Sequence, residues 1–281
     1  MTEINGRTHF FNADATILDG FLNLPIEKEI KPLGALALSE KGGYRSERVE
    51  DFHLEEVISY RSAYTQVAGN NDVKADHGWA TLATVVIEGL NILEVLTADR
   101  IVGQIIADHP PVGYVPSISF LGTRFENLRI AGHPVHLELD PHILGVRPID
   151  DTSYGLDSGV RGRVSAQHGR ICQHAELPAD LRGRYNSLSS NVGARETVEC
   201  SLVNQASGGY PGLTFGNVLR IPNFGTITLA KVTVTHEDFK DGTNVPETTT
   251  VRLRMIDLEL GCAVAGHGGV GTGSTNGKTV P

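Results

Sequence analysis

The sequence predicts an all-β protein of largely antiparallel long strands, arranged as a sandwich or as elongated, barrel-like sheets. Three observations carry that reading. Period-two alternation of apolar and polar residues runs through most of the 281 residues, as expected of strands with one buried face. Helical periodicity is nearly absent. Most of the 32 glycines stand at breaks between the alternating runs, where turns and bulges need them. A repeat-built β-solenoid is the alternative architecture.

Taken in order, ISYRSAYTQVAG (58–69) and GWATLATVVIEG (78–89) read as a long hairpin around NNDVKAD. Small and β-branched residues on both faces of these strands suit burial on two sides, by a second sheet or by another subunit. RIVGQIIAD (100–108) and SISFLGTRF (117–125) form a second hairpin through HPPVGYVP, whose adjacent prolines preclude helix. Later strand candidates are GVRGRVSAQHGRICQ (159–173), ETVECSLVNQ (196–205), GTITLAKVTVTH (225–236) and TTVRLRMIDLELGC (249–262). One short helix is expected at ELPADLRGRY (176–185). AVAGHGGVGTGSTNGKTVP (263–281) has almost nothing to bury and reads as a flexible tail. Residues 1–262 form one domain, with GVRPIDDTSYGLDSG, near 145–160, marking a long surface loop or an internal boundary.

A weak repeat runs through the first half. DFHLEEVISY, EGLNILEVLTAD and ENLRIAGHPV share a pattern that aligns Phe52, Leu90 and Leu128 at two intervals of 38 residues. A repeated hairpin-like unit gives this spacing, and so does a meander of equal strands.

The same segments carry a family resemblance. GLNILEVLTADRIVGQI followed by FENLRIAGHPV, with Thr-Ala-Asp at 97–99 and Gly-x-Pro at 132–134, resembles the β-rich bacterial proteins called choice-of-anchor P over about residues 9–139. The resemblance implies a β fold and a secreted, surface-anchored setting, with no activity to carry over. This chain shows neither the leader nor the anchor of that pattern.

Composition excludes several classes. A net charge of −9 with no basic cluster argues against nucleic acid as a partner. The N-terminal residues lack the basic and apolar regions of a secretory signal, and no apolar run approaches a membrane span. The expected location is therefore cytoplasmic, or outside the cell by a non-classical route. Cys172, Cys200 and Cys262 are an odd count without a CxxC spacing. Buried free thiols are expected in preference to a Cys172–Cys200 pair.

Catalytic signatures fail one by one. GTGSTNGKT imitates a phosphate-binding loop, but Thr272 stands where the first glycine belongs, and the chain ends where a helix must open. GxSxG, HExxH and an EF-hand loop are missing. Glu55-Glu56 and Asp150-Asp151 are adjacent, so on strands they point to opposite faces. With one tryptophan, Trp79, and 6% aromatics, a sugar-stacking cleft is disfavoured, and Trp79 reads as core packing.

GHPVHLELDPH (132–142) remains. His136, Glu138, Asp140 and His142 fall at every second position, and His133 precedes them. His136, Glu138 and Asp140 share one strand face and, with His133, could ligate a transition metal. The outer face of a half-buried strand gives the same string, and Pro141 separates His142 from it. His77 and His109 read as loop residues. The expected function is a non-enzymatic structural or binding protein, self-assembling or surface-associated, with a homo-oligomeric or protein partner and no cofactor. The alternative is a metal-dependent enzyme using residues 133–142.

Overall fold

The computed structural model describes residues 2–4, 6–24, 27–70, 78–191, 197–237, 247–261 and 264–280. The N-terminal third holds β1 (Thr2–Ile4), β2 (Arg7–Phe10), β3 (Ala13–Leu24), β4 (Lys28–Leu33), β5 (Leu36–Ala37), β6 (Gly43–Leu54), β7 (Ile58–Gly69) and β8 (Trp79–Ile92). Next come β9 (Leu96–His109), β10 (Ser117–Ser119), β11 (Arg124–Glu126), β12 (Arg129–Ile130) and β13 (His133–Leu139). Two helices follow, α1 (Ser158–Cys172) and α2 (Ala179–Asn191). The C-terminal part adds β14 (Thr197–Ser201), β15 (Val203–Gly208), β16 (Leu213–Phe215), β17 (Val218–Ile221), β18 (Gly225–Glu237), β19 (Thr248–Gly261), β20 (Ala265–Thr275) and β21 (Lys278–Val280).

The strands make two large antiparallel sheets packed face to face. Sheet I runs β15-β13-β12-β9-β8-β7-β6, with β10 and β11 also on β9. Sheet II runs β16-β17-β18-β19-β20-β3-β4, with β14 on β18 and β5 on β3. A small third sheet, β1-β2-β21, closes one end. Neither large sheet closes on itself, so the fold is a sandwich, and the solenoid alternative gives way to it. Between the sheets, Val67, Val85, Ile87 and Ile105 from one side meet Ile17, Leu229, Leu253 and Met255 from the other, all almost fully buried. One continuous apolar cluster reaches from Phe11 to Val270.

The expected hairpins are present, and β7 pairs with β8 from Ile58↔Ile92 to Gly69↔Thr81. The inner faces of these two strands are covered by sheet II, chiefly β3 and β20. The cover weighed earlier against another subunit is therefore, on that side, the chain itself.

The 38-residue spacing is three copies of one bulge and turn. Asp51, Gly89 and Asn127 have φ of 49°, 66° and 50°, and Glu55, Leu93 and Ala131 have φ of 48°, 54° and 48°. Each copy therefore places a left-handed residue in the strand and another at the turn. The turns stack through the backbone: Leu93 N–H donates to Val57 O at 2.9 Å, and Ala131 N–H to Val95 O at 2.7 Å.

Three expectations are corrected. Residues 265–275 are not a tail: β20 lies between β19 and β3 in sheet II. Its glycines serve close packing, since a Cβ on Gly273 would already touch the Ala83 Cβ at 3.5 Å. Residues 159–173 are helix α1 rather than strand. Val160 and Val164 satisfy both periods, but the buried set Val160, Val164, Gln167, His168 and Ile171 is helical, and Asp157 caps Val160 N–H at 2.8 Å. Residues 197–205 are two strands in different sheets. Leu202 forms the crossover, donating to Ala230 O at 3.0 Å and accepting from Asp140 N–H at 2.7 Å. The expected short helix runs further than 185, as α2 through Asn191.

Candidate functional site

The outward face of sheet II carries ordered rows of polar side chains. Strand register fixes its rows: Thr233, Arg252, Ser274 and Asp14 lie side by side, as do Lys231, Arg254, Thr272 and Thr16. Alternation sends the intervening Val232, Val251, Leu253 and Ala15 into the core, so the outward residues must face one way. They line a trough with a volume of about 370 Å³, bounded by Pro32, Ala35, Leu36 and Ala37. A smaller hollow of about 130 Å³ continues it past Arg252 and Arg254 to Lys231 and Thr233.

A ladder of alternating charges crosses this face. Arg184 meets Glu199 at 2.6 Å, Glu199 meets Lys231 at 3.3 Å, and Lys231 meets Asp257 at 3.8 Å. Asp257 then meets Arg254 at 3.0 Å, and Arg254 meets Asp19 at 3.4 Å. Asp19 also accepts the Gly269 N–H at 3.1 Å. These groups are one-fifth to one-third exposed, and their mutual pairing fixes their positions. Arg252 stands outside the ladder and makes no ion pair among the described residues. Burial holds the Asp14 carboxyl above its usual range, against the pull of Arg252.

The helix pair covers the far end of the face. Gln167 on α1 clamps the β14 backbone, donating to Ser201 O at 2.9 Å while accepting Ser201 N–H at 2.9 Å. Arg182 on α2 donates to the Cys172 and His174 carbonyls at 2.8 and 2.9 Å, which closes the C-terminus of α1. Beneath them Gln167, His168, Tyr185, Glu199, Cys200, Asn217, Thr228 and Lys231 enclose a pocket of about 10 Å³. Burial lowers the His168 pKa, against the pull of Glu199, and raises that of Tyr185 to about 12. It also pushes the Cys200 thiol far up, so that group is a packed thiol and not a nucleophile. Burial opposes the Arg184 charge, yet Glu199, with Tyr185 and Glu259, holds its pKa above the usual value. Lys231 belongs to both this pocket and the trough.

The residues singled out from the sequence lie elsewhere. His133, His136 and Glu138 are exposed on β13, with His133 opposite β12 and the other two opposite β15, and the Asp140 carboxylate accepts the His142 N–H at 3.0 Å. Among the described residues no three His, Cys, Asp or Glu side chains converge as a metal group. His136 and Glu138 thus face solvent and not a pocket. Cys172 and Cys200 are free, and Cys262 lies outside the described residues. Trp79 is fully buried, as expected; His109 is also buried and ends a strand, while His77 lies outside the described residues. The sequence reading missed Arg252, Arg254 and Lys231. Their signal was the alternation itself, since Arg252 and Arg254 are two apart and flanked by the apolar Val251, Leu253 and Met255.

The fold and this surface define an antiparallel β-sandwich with a helix pair over one end of an outward polar face. The chain belongs to the family described as a domain of unknown function (DUF8256), whose model matches residues 9–235. No curated protein matches it. The match ends within β18, while β19 and β20 supply Arg252, Arg254, Thr272 and Ser274 to the trough. Among the described residues, no helix is long and apolar enough to cross a membrane.

Proposed function

We propose that the protein is a binding module whose ligand surface is the trough on sheet II, and that its ligand is a small polar molecule bearing a carboxylate or phosphate group. The observation that carries this reading is Arg252, a guanidinium in no ion pair among the described residues, set among the hydroxyls of Thr16, Thr233, Thr272 and Ser274. A guanidinium fork suits an oxyanion, and hydroxyls on either side both donate and accept. The charge ladder holds Arg254 and Lys231 in place beforehand, so little side-chain ordering is left for the ligand to cost.

Edge-to-edge self-assembly has less support. The free edge strand β6 carries Arg45, Glu47, Arg48 and Glu50, the charged edge that discourages strand pairing. Calorimetric titration of the full chain with citrate and with inorganic phosphate tests the binding reading. Saturable heat that disappears in Arg252→Ala supports it. Heat unchanged by that substitution, or none at all, contradicts it.

A further inference from the structure

At the end of the sandwich closed by the small sheet, two histidines meet from distant parts of the chain. His9 on β2 is fully buried, and His109 at the end of β9 is 2% exposed. Their ring centroids are 4.6 Å apart. Both Nε2 atoms are buried, and neither has a hydrogen-bond partner among the described residues. Both also face the same place: a Cβ built on Gly277 would lie 2.8 Å from His9 Nε2 and 3.0 Å from His109 Nε2. Glycine, with no Cβ, is what fits against the two nitrogens there.

We propose that His9 and His109 are protein ligands of a buried transition-metal site, for an ion of the Zn²⁺, Ni²⁺ or Cu²⁺ class, with Gly277 providing the room. Imidazole nitrogen is the donor these ions prefer, and it must be neutral to bind. Burial keeps both rings neutral at physiological pH. His9 Nδ1 lies 2.9 Å from Thr279 Oγ1. Donation of Nδ1–H to that hydroxyl leaves Nε2 as a lone pair, the outer-shell arrangement that orients metal-bound histidines. Trp79 stacks on His9 at 5.0 Å and Phe11 meets it edge-on at 4.7 Å, so the surroundings are apolar and rigid. Asn276, next to Gly277 in sequence, has a buried side-chain oxygen without a hydrogen-bond partner among the described residues.

The nearby cations are largely engaged. The Arg7 guanidinium is held by the Pro111 and Gly113 carbonyls, and Arg147 pairs with Asp151 at 2.7 Å.

The test is equilibrium dialysis of the chelator-treated full chain against Zn²⁺ and against Cu²⁺, with bound metal counted per chain. The expected result is one equivalent, weakened at least ~10-fold in His109→Gln and in Gly277→Ala. The Ala variant keeps both imidazoles and fills only the space between them, so it remains informative if the Gln variant does not fold. His136→Gln should leave the bound equivalent in place. Metal bound equally by Gly277→Ala and the unaltered chain, metal lost only in His136→Gln, or no bound equivalent would each overturn the proposal.

Discussion

The backbone N–H of Ala131 donates to the carbonyl of Val95 at 2.7 Å, and 38 residues earlier Leu93 makes the same bond to Val57. Turn upon turn, sheet I is braced at one end by this contact. Ala131 makes it at φ 48°, which costs a residue with a Cβ roughly 1 kcal/mol or more. Ala131→Gly should therefore raise stability by up to ~1 kcal/mol, less the entropy glycine adds to the unfolded chain. Gly89→Ala should lower it by ~1–2 kcal/mol, since its φ is 66° and the new Cβ would sit 3.1 Å from the Arg61 Cβ. Urea unfolding of the two variants measures both signs.

Gln167 satisfies both backbone groups of Ser201 inside the α1–β14 contact. Gln167→Leu keeps the bulk but strands a buried N–H and C=O, so a loss of ~2–4 kcal/mol is expected. Loss of α1 docking should accompany it, seen as faster amide exchange in residues 158–172.

Asp151 accepts N–H bonds from Tyr114 and Val115 at 3.0 and 3.2 Å and pairs with Arg147. Although burial opposes charge there, these bonds hold its carboxyl below the usual range. Asp151→Asn should cost ~1–2 kcal/mol at neutral pH. The difference from the unaltered protein should shrink as acid protonates the carboxylate, because the stability from a depressed carboxylate pKa is full above the unfolded pKa and is lost as pH falls through the folded one.

The buried histidines set a second acid limit. Burial, then the neighbouring His109 and Arg7, lowers His9 from 6.5 to about 2, and burial with Arg147 lowers His109 to about 4. Below pH 6.5 the unfolded chain takes up protons that the folded chain refuses, so stability falls as pH drops. Each ring contributes at most ~1.4 kcal/mol per pH unit, with the His109 share levelling off near pH 4. His109→Gln should flatten the stability curve between pH 4 and 6.5 in chemical denaturation. An unchanged slope would show that the ring does not titrate in this way.

Much of the fold was legible because strand alternation is a local signal with a single cause, burial of one face. The errors fell where two causes give the same string. Val160 and Val164 fit strand and helix equally, and only the docking of His168 and Ile171 decides. The glycines of 265–275 look like a solvated tail, yet a central strand needs them where the sheets approach closely. The His136 and Glu138 pattern is visible along the chain and leads to solvent. His9 and His109 are separated by 100 positions, and Arg252 and Asp14 by more than twice that. No spacing rule reaches across such intervals, because the register of the folded sheets creates those proximities.

The most direct measurement of the binding reading follows the Arg252 side chain itself, by the Nε–Hε resonances of the full chain during titration with citrate and inorganic phosphate. The account predicts a saturable shift of the Arg252 signal, with smaller movements at Arg254, and its loss in Arg252→Ala while the unfolding midpoint stays put. An Arg252 signal that does not move while other arginines do would place the anion elsewhere and contradict it.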